Sequence, residues 1–266
     1  MLDSQKTPQV RIEKPLYFSN WLDNYCYFLT RRLLPFVSKY HWITPNIITL
    51  FSFALFAVGS SLIFIKIPYQ QYIAPIFLLL AFIGDELDGQ LARSKKLSSA
   101  LGNYLDCQLD FFKIFIITIS LTFAAYLNTS NVLYVFLGFI ASFFFSYRAY
   151  IKIEIMLSQA ERDPQYFLHR SQRIEAHLEE INTQYKNFSM SFSGKLKLFW
   201  LKNRTLFWVD EGEFIFIASA GLLFNQVELV LWILAISQTL LALWRLFQRG
   251  FQTHKQQDKL LEQLRH

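Results

Sequence analysis

The chain has 266 residues, of which 53% are hydrophobic, 18% are aromatic and only 17% are charged, a balance that excludes an ordinary soluble domain. The net charge is +6, but Lys and Arg are concentrated between apolar stretches. This favours anionic membrane lipid as the partner and argues against nucleic acid.

The first predicted element is amphipathic. Residues 1–14 are polar, and in residues 15–39 aromatic side chains recur near helical spacing, among them Trp21, Tyr25 and Phe28. This pattern predicts a helix lying in the membrane interface, with an ordinary juxtamembrane linker as the alternative. Residues 1–40 therefore form the predicted cytoplasmic N-terminal segment.

Six apolar stretches follow, and each is long enough to cross a bilayer as a helix. They are 46–66, 71–92, 103–126, 131–151, 207–224 and 227–247. They predict an all-α integral membrane domain at 41–250, with a cytoplasmic loop at 152–206 and a polar cytoplasmic tail at 251–266. Apolar residues at helical spacing within 157–205 predict that this loop is helical and lies against the membrane or over the site.

The positive charges predict the orientation of these spans. With the N-terminus inside, Lys66 is the only Lys or Arg that falls on the outer side. Because cytoplasmic loops carry the excess of Lys and Arg, both termini and the turn at 93–101 are predicted to be cytoplasmic. Two cysteines, Cys26 and Cys107, lie at the predicted reducing face, so no disulfide is expected.

Four aspartates flank this cytoplasmic turn, inside or beside apolar sequence. The run consists of Asp85, Asp88, Gly89, Ala92 and Arg93, followed after the turn by Gly102, Asp106 and Asp110. Helix positions three and four apart share a face, so each helix presents its carboxylates on one side beside small residues. Two such helices can bring the four carboxylates to one site.

Four carboxylates beside a membrane require compensation. Each costs about 3 kcal/mol at a helix centre on insertion scales, and mutual repulsion adds to this cost. Two divalent cations would neutralise the four charges, and an all-oxygen ligand set favours Mg²⁺ or Mn²⁺ over Zn²⁺.

The spacing D-x2-D-G-x2-A-R-x8-G-x3-D-x3-D resembles the signature of the CDP-alcohol phosphatidyltransferases, and every fixed position matches. The resemblance implies a membrane enzyme of phospholipid synthesis that transfers a substituted phosphate from a CDP-linked donor to an alcohol, with release of CMP. It implies that Asp85, Asp88 and Asp106 ligate the metal ions. Asp110 would complete the metal site and act as general base. The CDP moiety would contact Gly89, Ala92, Arg93 and Gly102.

The start of the first span matches the same family. In Thr44-Pro45-Asn46, Thr44 can cap the helix and Pro45 suits its first position, which is a sufficient structural reason for both. By resemblance, Asn46 and Thr49 are also candidates for contact with the nucleotide. The alternative is that they serve the helix alone.

Two further pairs are candidates for acceptor binding. Arg148 and Lys152 end the fourth span and either snorkel to the cytoplasmic surface or hold a phosphate. Glu211 and Glu213 begin the fifth span, where they either favour the helix dipole or contribute to an acceptor patch beside the aspartates.

The sequence leaves the substrates open. CDP-diacylglycerol is the preferred donor, because members for choline and ethanolamine tend to be longer. Against this, Leu101 stands where many phosphatidyl-transferring members have Phe, and Ser98-Ser99 resembles the choline/ethanolamine branch. The latter would transfer a head group to a diradylglycerol. An ion or proton transporter is the remote alternative, and the resemblance also implies a homodimer.

Overall fold

The computed structural model describes residues 21–65, 67–97, 99–163, 165–166, 193 and 209–265. The helices in this part of the chain are α1 (Trp21–Ser38), α2 (Pro45–Leu62), α3 (Gln70–Lys95), α4 (Ala100–Thr129), α5 (Leu133–Arg162), α6 (Glu211–Leu223) and α7 (Val227–Arg265). No described residue lies in a strand. The all-α prediction is therefore confirmed for the described residues.

The ends of the helices follow the local sequence. Thr44 accepts a hydrogen bond from the Ile47 amide over 3.4 Å, and Pro45 occupies the first turn of α2. Ser99 caps α4 by accepting from the Gly102 amide over 3.0 Å. Since both side chains replace missing intrahelical partners, the predicted starts of α2 and α4 have a local cause.

Within the described residues, four helices are long and apolar enough to cross a membrane, over Pro45–Leu62, Tyr104–Thr129, Leu133–Glu161 and Val227–Phe251. The α3 helix does not qualify because its final third is rich in charged residues, and α6 has only 13 residues. These four helices indicate a multi-pass membrane protein. The larger number of six spans stays a prediction.

Two helices extend beyond the predicted spans. The α5 helix continues to Arg162, so the first residues of the predicted 152–206 loop are helical, and α7 continues through the predicted tail to Arg265. A helix can continue past the apolar stretch because polar residues such as Lys, Glu and Gln are good helix formers. Most of the loop lies outside the described residues, as does the predicted N-terminal segment before Trp21.

The packing centres on α3, which contacts α1, α2 and α6, while α5 packs along α7. A buried hydrogen bond from Gln90 to Thr30 joins α3 to the amphipathic α1. The α2–α3 contact is close at Gly59, where an added Cβ would lie 2.9 Å from Phe77 Cβ. The core contains fully buried Phe56, Leu78, Ile117, Phe214, Leu231 and Leu234. This packing brings the C-terminal end of α3 beside the N-terminal ends of α2, α4 and α6.

Candidate functional site

Three aspartates from α3 and α4 form the first carboxylate cluster. Asp85, Asp88 and Asp106 each offer one carboxylate oxygen, and these oxygens lie within 4.8 Å of one another. Asp88 is only 7% exposed, so its charge is largely removed from water. An all-oxygen set of this kind fits a hard cation such as Mg²⁺ or Mn²⁺. The first cluster therefore contains three of the four predicted metal ligands.

Thr49 orients one of these ligands. Its hydroxyl, buried on α2, donates to Asp88 Oδ2 over 2.5 Å and lies 3.1 Å from the Pro45 carbonyl oxygen. The hydrogen bond holds one oxygen of the carboxylate toward α2. Because supporting hydrogen bonds fix ligand orientation, Thr49 belongs to the site even without touching a bound ion.

The second carboxylate cluster joins three helices and contains a lysine. Asp85, Asp110 and Glu211 offer oxygens within 4.8 Å of one another. The Lys113 ammonium lies among them, 2.6 Å from Asp85 Oδ1, 2.9 Å from Asp110 Oδ1 and 3.1 Å from Glu211 Oε1. Asp85 is common to both clusters, so they form one continuous acidic centre.

An open cavity of about 600 Å³ adjoins the first cluster. The N-terminal end of α2 and the facing ends of α3 and α4 enclose it. All six residues assigned to the CDP moiety by resemblance line this cavity: Asn46, Thr49, Gly89, Ala92, Arg93 and Gly102. Asp88 and Asp106 lie on the same wall. A ligand in the cavity would therefore meet the first cluster directly.

The two glycines of the motif differ in their surroundings. For a Cβ added to Gly89 the nearest side-chain atom would be Arg93 Nη1, at 3.4 Å. A Cβ added to Gly102 would lie 3.1 Å from Ser99 Oγ and 3.3 Å from Asn46 Oδ1. Gly89 thus leaves space in the cavity, whereas Gly102 also permits close packing of α4 against the start of α2.

The acceptor candidates separate in the structure. Arg148 is buried and points to α6 and α7, where it donates to the Val209 carbonyl and to Gln238 Oε1, both over 2.7 Å, and pairs with Asp210. Lys152 is exposed on α5, ten residues before the end of the helix. Arg148 therefore has a packing role whether or not it also meets an acceptor.

The two glutamates of α6 also have different surroundings. Glu213 is 3% exposed, and its Oε2 accepts from the Asp210 amide over 3.3 Å. Its position at the start of α6 agrees with the helix-terminal interpretation. Glu211 instead belongs to the second carboxylate cluster, beside Lys113.

The sequence assigned no role to Lys113, and it offered a place beside the aspartates only as one of two alternatives for Glu211. Lys113 follows Asp110 by three positions and so shares its helix face, which is a local signal. Glu211 carries no such signal, since it lies 98 positions from Lys113 along the chain. Only the packing of α6 against α3 and α4 brings it to the site.

Fold and site together define a class: a helical membrane protein with an acidic centre beside a cavity at one end of its helices. Residues 42–162, a little under half of the chain, match the sequence model of the CDP-alcohol phosphatidyltransferase family. The resemblance predicted from residues 85–110 is confirmed.

A relative and a solved structure are similar to the chain. An uncharacterized protein of Aquifex aeolicus (strain VF5) is 34% identical over 132 residues, which cover 45% of this chain and 65% of that protein, slightly less than two thirds. The crystal structure of Mycobacterium tuberculosis phosphatidylinositol phosphate synthase with CDP-DAG bound has a TM-score of 0.51 and 14% identity. The match covers 85% of this chain and 92% of that one, and it shows a shared fold.

Proposed function

We propose that this protein transfers a substituted phosphate from CDP-diacylglycerol to an alcohol acceptor and releases CMP. The observation that carries the proposal is the cavity, whose walls contain the six residues assigned to the CDP moiety by resemblance together with Asp88 and Asp106. A pocket with a few convergent polar groups beside a carboxylate cluster suits a phosphorylated nucleotide bound through cations.

The donor is a CDP-linked lipid in this proposal. The Mycobacterium tuberculosis structure of the same fold contains CDP-DAG, which supports this type of donor. Arg93 on the cavity wall has a planar guanidinium suited to phosphate oxygens. A site near the membrane boundary would receive the nucleotide from water while the acyl chains remain in the bilayer.

Asp110 is the proposed general base. It would accept the proton of the acceptor hydroxyl as the new oxygen–phosphorus bond forms and the bond from phosphorus to the CMP oxygen breaks. Asp110 is absent from the cavity lining and faces the second cluster, where Lys113 contacts it at 2.9 Å. This position supports attack by an acceptor that approaches from the α6 side, opposite the nucleotide.

The carboxylates would hold divalent cations. The resemblance implies that Asp85, Asp88 and Asp106 ligate metal and that Asp110 completes the site. On the grouping of their oxygens, Asp85, Asp88 and Asp106 would hold one ion, and Asp85 and Asp110 would contribute to a second. Mg²⁺ or Mn²⁺, when bound, would neutralise the negative charge on the phosphate oxygens during the displacement. The chain's own contribution is to hold these carboxylates within reach of one cavity and to orient Asp88 through Thr49.

Glu211 is the strongest of the acceptor candidates, because it adjoins Asp110 through Lys113. Arg148, Lys152 and Glu213 stay candidates by their place in the sequence. Acceptor assignment needs kinetics: a variant of an acceptor-binding residue would raise KM for the acceptor and leave KM for the donor unchanged.

We further propose six spans with both termini and the site in the cytoplasm. The α3 and α6 helices lie among other helices, so their polar residues are covered by protein where they enter the bilayer. The positive-inside distribution supports the orientation. A C-terminal green fluorescent protein that fluoresces, and a C-terminal alkaline phosphatase that stays inactive, would agree with it. The implied homodimer can be tested by cross-linking in membranes.

The test of function is a donor and acceptor screen. Purified protein with Mg²⁺ or Mn²⁺ receives labelled CDP-diacylglycerol with glycerol phosphate, inositol compounds or serine, or CDP-choline or CDP-ethanolamine with diradylglycerol. We expect CMP and a phosphatidyl product from the first set only. Products from the second set alone would favour head-group transfer, which Leu101 and Ser99 support. Metal-independent ion flux through liposomes, without CMP, would indicate a transporter.

A further inference from the structure

Lys113 is a buried ammonium surrounded by carboxylates. The residue is 3% exposed, and its Nζ lies within 3.1 Å of oxygens from Asp85, Asp110 and Glu211. A protonated lysine has three N–H donors, so these three contacts use all of them. The ammonium is therefore fully satisfied by the second carboxylate cluster and reaches no bulk water.

The same oxygens would otherwise form a cation site. Asp85, Asp110 and Glu211 come from three different helices and still bring their oxygens within 4.8 Å of one another. Three carboxylates repel one another unless a positive charge lies between them. Lys113 supplies that charge, so an ammonium holds the position where a divalent ion would find the best oxygen ligands.

The number of charges in the two clusters indicates where Lys113 goes when divalent ions bind. The two clusters share Asp85 and together contain five carboxylates. Two divalent ions balance four of them, and Lys113 balances the fifth. Of the three distances from Lys113 Nζ, the one to Glu211 Oε1 is the longest, at 3.1 Å. Glu211 is also the one carboxylate of the three that lies outside the motif. A lysine side chain is flexible enough to leave two partners and keep a third.

We propose that Lys113 holds the place of the second divalent ion in the ion-free protein, and that its ammonium withdraws onto Glu211 when that ion binds Asp85 and Asp110. The inference rests on the proposed function for the presence of divalent ions. It makes Lys113 and Glu211 positioning residues with different effects. Lys113 keeps the second cluster assembled and lowers its affinity for a cation, whereas Glu211 receives the displaced ammonium and so favours binding of the cation.

The experiment is a Mn²⁺ titration of the full chain in detergent, without substrate, followed by electron paramagnetic resonance and by calorimetry. Wild-type protein binds one ion tightly, at Asp85, Asp88 and Asp106, and a second more weakly. Lys113→Met removes the competing ammonium and raises the affinity for the second ion by about 10-fold to 100-fold, the usual range for coupled sites. The affinity for the first ion changes far less.

Glu211→Gln tests the withdrawal of the ammonium. Without Glu211, Lys113 has only Asp85 and Asp110 as charged partners, so the second ion binds more weakly than in the wild type. The double variant Lys113→Met/Glu211→Gln regains strong second-ion binding, because no ammonium remains to be displaced. This non-additivity is specific to competition between the lysine and the ion.

Lys95→Met is the matched control. Lys95 also lies near the end of α3, but its Nζ donates to the backbone carbonyls of Tyr40 and Ile43, over 2.9 and 3.0 Å. Its replacement leaves both ion affinities unchanged. Thermal unfolding with and without Mn²⁺ provides a second readout. Lys113→Met unfolds at a lower temperature than wild type without Mn²⁺, and Mn²⁺ raises its midpoint by more.

Two results would overturn the inference. One is a second-ion affinity that is the same in wild type and Lys113→Met. The other is a Glu211→Gln variant whose second ion binds more tightly than in the wild type. Either result in a protein that still releases CMP leaves the proposed function intact. A protein that binds no Mn²⁺ and releases no CMP contradicts both.

Discussion

The hydroxyl of Thr49 donates a hydrogen bond to Asp88 Oδ2 across the contact between α2 and α3. Both residues line the cavity, and both are buried. The bond ties the orientation of a metal-ligand candidate to the position of α2. The contact between α2 and α3 at the cavity therefore helps to determine where one carboxylate oxygen points.

Replacing Thr49 with Val removes this hydrogen bond and retains the shape of the side chain. A hydrogen bond to a charged group contributes about 1.5–3 kcal/mol, so we expect the affinity for the first Mn²⁺ to fall by roughly 10-fold to 150-fold. Thr118→Val is the control, since Thr118 is a buried threonine whose hydroxyl donates to the Ile114 carbonyl within α4. Equal Mn²⁺ affinity in the two variants would contradict the role of Thr49.

Replacing Asp110 with Asn should remove the general base without blocking the cavity. We expect the rate of CMP release to fall by roughly 100-fold to 10,000-fold, the range for loss of a positioned acid or base. Donor binding, measured as ligand-induced thermal stabilisation, should persist because Asp110 does not line the cavity. Glu228→Gln is the control, as this acid is on α7 near Asn128, away from the site. Full activity of Asp110→Asn would exclude it as the base.

Two Gly→Ala variants should have opposite effects. In Gly59→Ala the new Cβ would lie 2.9 Å from Phe77 Cβ and 3.2 Å from the Ala74 carbonyl oxygen, which overpacks the contact between α2 and α3. We expect a loss of about 1–3 kcal/mol in the free energy of unfolding.

In Gly89→Ala the new Cβ meets only the flexible Arg93 side chain, at 3.4 Å, and alanine favours a helix. The thermal midpoint should be unchanged or higher. The methyl group reduces the space beside the nucleotide, so KM for the CDP donor should rise by about 10-fold or more. A Gly89→Ala variant with wild-type KM would show that the nucleotide does not approach this position.

Replacing Arg148 with Met should destabilise the protein more than it changes catalysis. The variant leaves the Asp210 carboxylate and the Val209 carbonyl without the guanidinium that now meets them. The Asp210 side chain is 40% exposed and can regain water, so the expected cost is that of the lost hydrogen bonds, about 1–3 kcal/mol, which thermal unfolding in detergent would register. Lys152→Met, four positions further along α5 and exposed, should change stability by less than about 0.5 kcal/mol. If Arg148→Met instead keeps its stability and raises KM for the acceptor, the phosphate-binding interpretation holds.

Cys26 should be an unreactive thiol. Burial, followed by the nearby negative charges of Glu86 and Asp23, raises its pKa from 9.0 to about 12. At pH 8 only about one thiol in ten thousand is then a thiolate, the form that reacts with maleimide. A Cys107→Ser variant should therefore stay unlabelled at pH 8 until it is unfolded.

The raised pKa of Cys26 also makes the stability of the folded protein depend on pH. Because the folded pKa lies above the unfolded value, the folded state favours the neutral thiol. Its contribution to stability is complete below pH 9.0 and is lost as the pH rises toward about 12. Rapid labelling of the folded Cys107→Ser variant at pH 8 would contradict the burial of Cys26.

Much of the site was accessible from local spacing. Asp85 and Asp88, and likewise Asp106 and Asp110, lie three or four positions apart, and a helix places such residues on one face whatever surrounds it. The same reasoning located the cap at Thr44, because a cap interacts with the next turn of its own helix. These features depend only on backbone geometry over a few residues, so the amino-acid sequence by itself determined them.

The tertiary structure decided which distant groups meet those faces. Glu211 joins the aspartates from 98 positions beyond Lys113, and Arg148 meets Gln238 from 90 positions away. Helical spacing cannot predict contacts between residues so far apart in the sequence. Both contacts depend on how α6 and α7 pack against α3, α4 and α5. For the same reason Lys113, which by spacing only extends a helix face, becomes the ammonium at the centre of three carboxylates once the helices are assembled.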